Sequence, residues 1–196
     1  MDQLRVGEEV LVADPQTGVV SFSPVMWFQK AVRNVTGEVL RIRLADGTTV
    51  STTETHNTFV RLQENGNTEE LLAGNVRVGM WMLVVAEANQ HMVRAVQVVE
   101  VRRDWDTGFY APITAAGTVV VDKVLMSVFA NYRLEHKRVL MKPLIWLYQL
   151  VGIPGAGELP QETAQHWYAK AAGLFMNTVF GPEFGRLPRL GADSGK

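Results

Sequence analysis

The sequence predicts an all-β domain with a C-terminal α-helical extension, and three observations carry that expectation. Short runs rich in Val, Leu, Thr and aromatic residues follow one another from Val6 to about Tyr132, separated by Gly, Asp, Asn and Pro. Between two of these runs, Asp46-Gly47 supplies a turn pair that tolerates positive φ. After Tyr132 the strand-length runs stop and the apolar residues take a helical period.

In chain order, the expected strands are EVLVA (9–13), VVSFSPVMWF (19–28), EVLRIRLA (38–45), TTVSTT (48–53) and NTFVRL (57–62). Leu40, Ile42 and Leu44 alternate with Arg41 and Arg43 before Asp46-Gly47, which predicts a hairpin with one aliphatic face. A second group follows: MWMLVVAE (80–87), MVRAVQVVEVRRDW (92–105) and GTVVVDKVLMSVFANY (117–132). Pro143 suits the first turn of a helix over 143–151, since its missing N–H would have no partner there. The Gly/Pro linker 152–160 then separates it from a second helix over 161–180, with Trp167, Ala171, Leu174 and Phe175 on an apolar face. The tail 189–196 is expected to be disordered.

Composition removes several classes of function. The chain has 196 residues, enough for one domain with a modest appendage and a real core. Its 19 Lys+Arg against 20 Asp+Glu leave a net charge of -1, so no basic face is available for nucleic acid. There is no cysteine, which removes disulfides, thiolate metal sites and any internal thiol nucleophile. MDQLRVGEEV shows no signal peptide, and the run 144–151 falls far short of the roughly 20 apolar residues that cross a bilayer. A soluble or peripheral chain is therefore expected. The four histidines His56, His91, His136 and His166 form neither H-x3-5-H nor H-E-x-x-H, so no metal site is expected. His136 and His166 each stand next to a helix start and suit structural roles. No G-x-S-x-G or G-x-x-x-x-G-K is present, and no cofactor is expected.

The stretch 51-STTETHNTFV-60 places a histidine three residues after a threonine at a strand end. Alone, T-x-x-H says little. However, YAPITAAGTVVVDKVLMSVFANY (110–132), together with TETH (53–56), VGEEVLVAD (6–14), LEH (134–136) and HWYA (166–169), resembles the C-terminal autoprocessing domain of hedgehog proteins. That domain is a Hint module, the fold shared with inteins, followed by a sterol-recognition region. The likeness runs in order over about residues 3 to 180.

The resemblance implies a flattened β disc with pseudo-two-fold halves over 1–133, N-terminally truncated, and a helical sterol- or lipid-recognition region over 134–188. In the family, a cysteine at the start of the module attacks the preceding carbonyl to give a thioester, which a sterol hydroxyl then displaces. An amide nitrogen leaves only when protonated, and a histidine can deliver that proton near neutral pH. The T-x-x-H correspondence assigns this role to His56, with Thr53 as its polarising partner. Trp146, Tyr148, Trp167, Tyr168 and Phe175 are the expected sterol or lipid contacts, because amphipathic rings suit an acyl boundary. The upstream segment of the chain's own precursor, a sterol and a membrane surface are the implied partners, a monomer the implied state, and the secretory pathway or the cell exterior the implied setting.

Two functional positions of the family, and a later cysteine, are unmet. The nucleophilic cysteine belongs about 16 residues before Leu4, and the aspartate that activates the sterol corresponds to Lys30, read as a solvated loop lysine. Asp14 and Asp46 are possible replacement bases, although each also suits turn chemistry. The family's later cysteine corresponds to Val128. The expectation is an autoprocessing domain that is inactive as written for want of a nucleophile; the alternative is a non-catalytic sterol- or membrane-interface module on the same scaffold.

Overall fold

Alternation at 40–44 has the expected result: Leu40, Ile42 and Leu44 are buried, Arg43 is exposed and Arg41 half-buried. The computed structural model describes residues 3–86, 89–130, 142–143, 145–148, 150–152 and 157. Among them run β1 (Glu9–Ala13), β2 (Val20–Leu44), β3 (Thr49–Thr52), β4 (His56–Arg61), β5 (Thr68–Leu72), β6 (Trp81–Ala86), β7 (Asn89–Thr114), β8 (Thr118–Val121) and β9 (Val124–Ala130). They form one curled sheet in the order β1-β2-β7-β6-β4-β9-β8, with β3 on β2 and β5 on β4.

Three expectations are corrected. The runs 19–28 and 38–45 are two ends of a single strand, β2, of 25 residues. The segment between them contains Lys30, Arg33 and Gly37 and lacks alternation. It stays in the ladder because β7, 26 residues long, pairs along most of it, slipping register at Val32/Thr36 and three other places. The run 117–132 is instead a hairpin, β8 to β9, because Asp122 and Lys123 both take positive φ (49° and 70°), the geometry of a two-residue hairpin turn. Finally, β5 was not anticipated. Its sequence TEELL carries two adjacent glutamates, and pairing with β4 from Asn57↔Leu72 to Arg61↔Thr68 recruits it.

The two long strands also expose the internal symmetry. LADGT (44–48) ends β2 and TAAGT (114–118) ends β7. In both turns the glycine has positive φ, 86° at Gly47 and 77° at Gly117, and donates its N–H to the residue three before it, Leu44 or Thr114. Each turn leads to a short strand, β3 or β8, and then to a strand carrying a buried phenylalanine, Phe59 or Phe129. Those last two strands, β4 and β9, pair antiparallel across the junction of the halves.

The helix expected over 143–151 is present at 142–143, 145–148 and 150–151 and is short. Tyr148 packs edge-on against Trp27, ring centroids 6.4 Å apart, and Gly152 (φ 86°) closes the helix by donating its N–H to the Tyr148 carbonyl. The second expected helix (161–180), the tail and the domain boundaries at 133 and 188 lie outside the described residues.

Opposite stability changes are expected at two turns. Lys123→Gly should raise unfolding free energy by about 0.5 kcal/mol or more, whereas Gly47→Ala should lower it by about 1 kcal/mol, since a left-handed residue with a Cβ costs roughly 1–2 kcal/mol. Urea unfolding of both variants beside the parent checks the pair of signs.

Candidate active site

The spacing of T-x-x-H becomes a turn. His56 donates its backbone N–H to the Thr53 carbonyl at 3.0 Å, so the two residues occupy the ends of one four-residue turn between β3 and β4. His56 opens β4 opposite Ala130 of β9, and the register slips between His56 and Thr58. Such irregularities re-aim a side chain out of simple alternation.

The His56 Nε2 lies 2.7 Å from the backbone carbonyl oxygen of Ser127. A carbonyl only accepts, so in the neutral ring Nε2 carries the proton and Nδ1 carries the lone pair. Burial lowers the pKa below the usual 6.5, and the bond to Ser127 offsets this only in part. At pH 7 the ring is therefore neutral and able to take up a proton at Nδ1 and release it again. Beneath it the sheet is polar yet enclosed: Thr58 and Ser127 are fully buried, the Thr58 hydroxyl donates to the Met126 sulfur, and the Ser127 hydroxyl accepts from the Phe129 N–H. Val128 is buried beside Ser127. No residue pattern announces Ser127, because it contributes a backbone carbonyl that any residue could supply.

Lys30 is not in a loop. It lies within β2 opposite Ala111, exposed, with its ammonium 5.3 Å from the Phe109 ring centroid. Asp14 accepts the backbone N–H groups of Gln16 and Thr17 at 2.9 and 2.8 Å. Asp46 accepts the Thr48 N–H and pairs with Arg94. Partial burial pushes its carboxyl up, but Thr48 and Arg94 outweigh this and hold it below the usual carboxylate range, which makes it a poor base. Both aspartates are thus engaged in turns. Of the expected lipid contacts, Trp146 is exposed, Tyr148 is buried against Trp27, and Trp167, Tyr168 and Phe175 lie outside the described residues. Among the described residues no three metal-ligating side chains converge.

Comparison with known proteins gives this arrangement its context. The Hint module family matches residues 1–179. The chain is 34% identical over 130 residues to the Sonic hedgehog protein of Xenopus laevis, covering 65% of this chain and 29% of that one. It is 30% identical over 180 residues to the Indian hedgehog B protein of Danio rerio, covering 85% and 41%. It therefore spans less than half the length of either relative. The crystal structure of an intein from a hyperthermophile shares the fold, with a TM-score of 0.50, 20% identity, and coverage of 61% of this chain and 70% of that one. A two-halved curled sheet accords with these matches: the chain belongs to the Hint module family and is a hedgehog-type Hint domain.

Proposed function

We propose that this domain serves hedgehog-type autoprocessing, cleaving the peptide bond before its module through a thioester and passing the upstream segment to a sterol. The observation that carries the reading is His56: a neutral imidazole, its tautomer fixed by Ser127, at the mouth of a turn that begins with Thr53. In the first step a thiol sulfur bonds to the preceding carbonyl carbon and its proton passes to His56 Nδ1. His56 returns that proton to the departing nitrogen as the carbon–nitrogen bond breaks. Thr53 would hold the distorted peptide by a hydrogen bond. In the second step the sterol oxygen bonds to the same carbon, the carbon–sulfur bond breaks, and the hydroxyl proton must go to a base.

These 196 residues contain no cysteine, so the thiol must come from outside them, and by themselves they should not cleave. A secretory or extracellular setting belongs to the same proposal, as do the precursor's upstream segment and a sterol as partners. The second reading, a non-catalytic sterol- or membrane-interface module, draws on the helical residues 145–148, 150 and 151, which expose Trp146, Leu147, Leu150 and Val151.

A reporter fused directly ahead of residues 1–196 should stay intact in dithiothreitol. With a family-like first strand beginning in cysteine inserted between them, it should be released, and His56→Ala should slow release by roughly 100-fold or more. Gel densitometry over time decides, and equal rates would remove His56 from the mechanism.

Proton linkage gives a second test. The folded pKa of His56 is lowered, so as pH falls below about 6.5 the unfolded chain binds its proton first and stability drops until pH has passed the folded pKa. His56→Gln should lose this part of the acid sensitivity, leaving the two proteins' stability difference flat above pH 7 and changing between pH 6.5 and 5. Urea midpoints across that range supply the measurement.

The third concerns Lys30, whose ammonium cannot accept a sterol proton. In the cysteine-extended protein, small thiols should cleave well while sterol couples poorly, since thiols ionise by themselves. Lys30→Asp should raise sterol coupling by about 100-fold or more and leave thiolysis within a few-fold. Mass spectrometry of the released segment reads both products; unchanged coupling would place the base elsewhere.

A further inference from the structure

The turn that carries His56 is held from behind at the residue between Thr53 and Thr55. Glu54 accepts the Gly74 N–H on its backbone carbonyl at 2.9 Å, and its carboxylate accepts from Arg103 Nη2 at 3.1 Å. Both partners are themselves anchored. Gly74 lies in a short 3-10 turn, Ala73–Asn75, whose outer residues are buried, and its own carbonyl accepts from Arg77 at 2.7 Å. Arg103 stands on β7 opposite Leu40 of β2 and gives its other nitrogen to Glu38 of β2 at 2.9 Å. One arm of the brace is thus main chain beside the core, and the other is a guanidinium rooted on the longest strand pair.

Gly74 is glycine for want of space. Its φ is outside the left-handed region, so backbone freedom does not require it, but a Cβ there would stand 2.4 Å from Glu54 Cγ and 3.2 Å from the Glu54 carbonyl oxygen. Restoring ordinary contact at 3.4 Å means that the 53–56 turn backs away or the Glu54 side chain swings off Arg103. The Arg103–Glu54 pair is more than half exposed at both ends, and such pairs contribute little to stability. Its consequence is geometric.

We propose that Gly74, Glu54 and Arg103 are positioning residues that hold the Thr53-to-His56 turn in register with Ser127, so that the His56 ring is presented in one orientation to the reacting bond. The proposal rests on the reading of His56 as the proton carrier, but the brace can be tested apart from it. Reactions that depend on such placement lose up to about 100-fold in rate for a displacement near 1 Å.

Two readouts are used. In the 196-residue chain, the His56 ring is followed by NMR titration, assigned by its loss in His56→Gln; in the cysteine-extended chain, thiol-dependent cleavage is timed. Gly74→Ala should move the His56 midpoint up towards the ordinary value of about 6.5 and slow cleavage about 10- to 100-fold. Glu54→Ala and Arg103→Gln should each shift the midpoint less and slow cleavage a few-fold. In Gly74→Ala/Glu54→Ala the clashing Cγ is gone and only the milder 3.2 Å contact with the Glu54 carbonyl oxygen stays, so both readouts should recover most of the way to Glu54→Ala alone. A folded Gly74→Ala protein with parental titration and rate, or a double variant that does not recover, overturns the proposal. Should Gly74→Ala not fold, Arg103→Gln decides: an unchanged His56 midpoint overturns it. If His56→Ala leaves cleavage intact while Gly74→Ala still moves the midpoint, the proton-carrier assignment fails and the brace stands.

Discussion

Pairing between β2 and β7 is the interaction on which the rest of the structure depends. The two strands run antiparallel from Val25↔Thr114 to Leu44↔Val98, and the other elements attach along them: β1 to one end of β2, β3 to the other, β6 to the start of β7. Four slips of register let so long a ribbon bend instead of extending flat. Its outer face carries a ladder of ion pairs, Arg41 with Asp104 and Arg43 with Glu100, each partly or largely exposed and so contributing little to stability. The inner face buries Leu40, Ile42, Leu44 and Val98 at roughly 1.5–3 kcal/mol each, so main-chain pairing and aliphatic burial hold the ribbon while the charges keep its outside wet.

That ribbon also fixes where His56 sits. Because both long strands end in equivalent glycine turns and feed equivalent short strands, β4 and β9 are brought together at the junction, and His56 meets the Ser127 carbonyl there. Enclosure does two things at once. It depresses the imidazole's proton affinity, and it leaves Nε2 a single acceptor, so one tautomer prevails. A histidine on the exposed end of a free hairpin would have neither property. The route from Glu54 through Arg103 to Glu38 ties the same turn back to the ribbon.

The two halves differ at their junction. Gly47 and Gly117 match, Phe59 and Phe129 match, yet where one half has His56 the other has Met126, and the second hairpin is turned by Asp122 and Lys123 in place of T-E-T-H. The common features are those that closing the sheet demands. The differing ones lie at the junction, where Met126 is buried and its sulfur accepts from the Thr58 hydroxyl.

Local sequence alone determined much of this protein. The bounds of β1, the hairpin after Asp46-Gly47 and the helix beginning near Pro143 were all legible, because alternation and turn residues act within a few residues of themselves. Tertiary structure decided what distant partners supply. The segment 29–37 is strand only because β7 lies beside it, TEELL is strand only because β4 recruits it, and Lys30 leaves its expected loop for the same reason. So too with the candidate site: the family resemblance pointed to the histidine, but its lowered pKa comes from burial and its tautomer from Ser127, a backbone carbonyl on another strand. A main-chain oxygen has no residue identity, and only folding brings it within 2.7 Å of the ring.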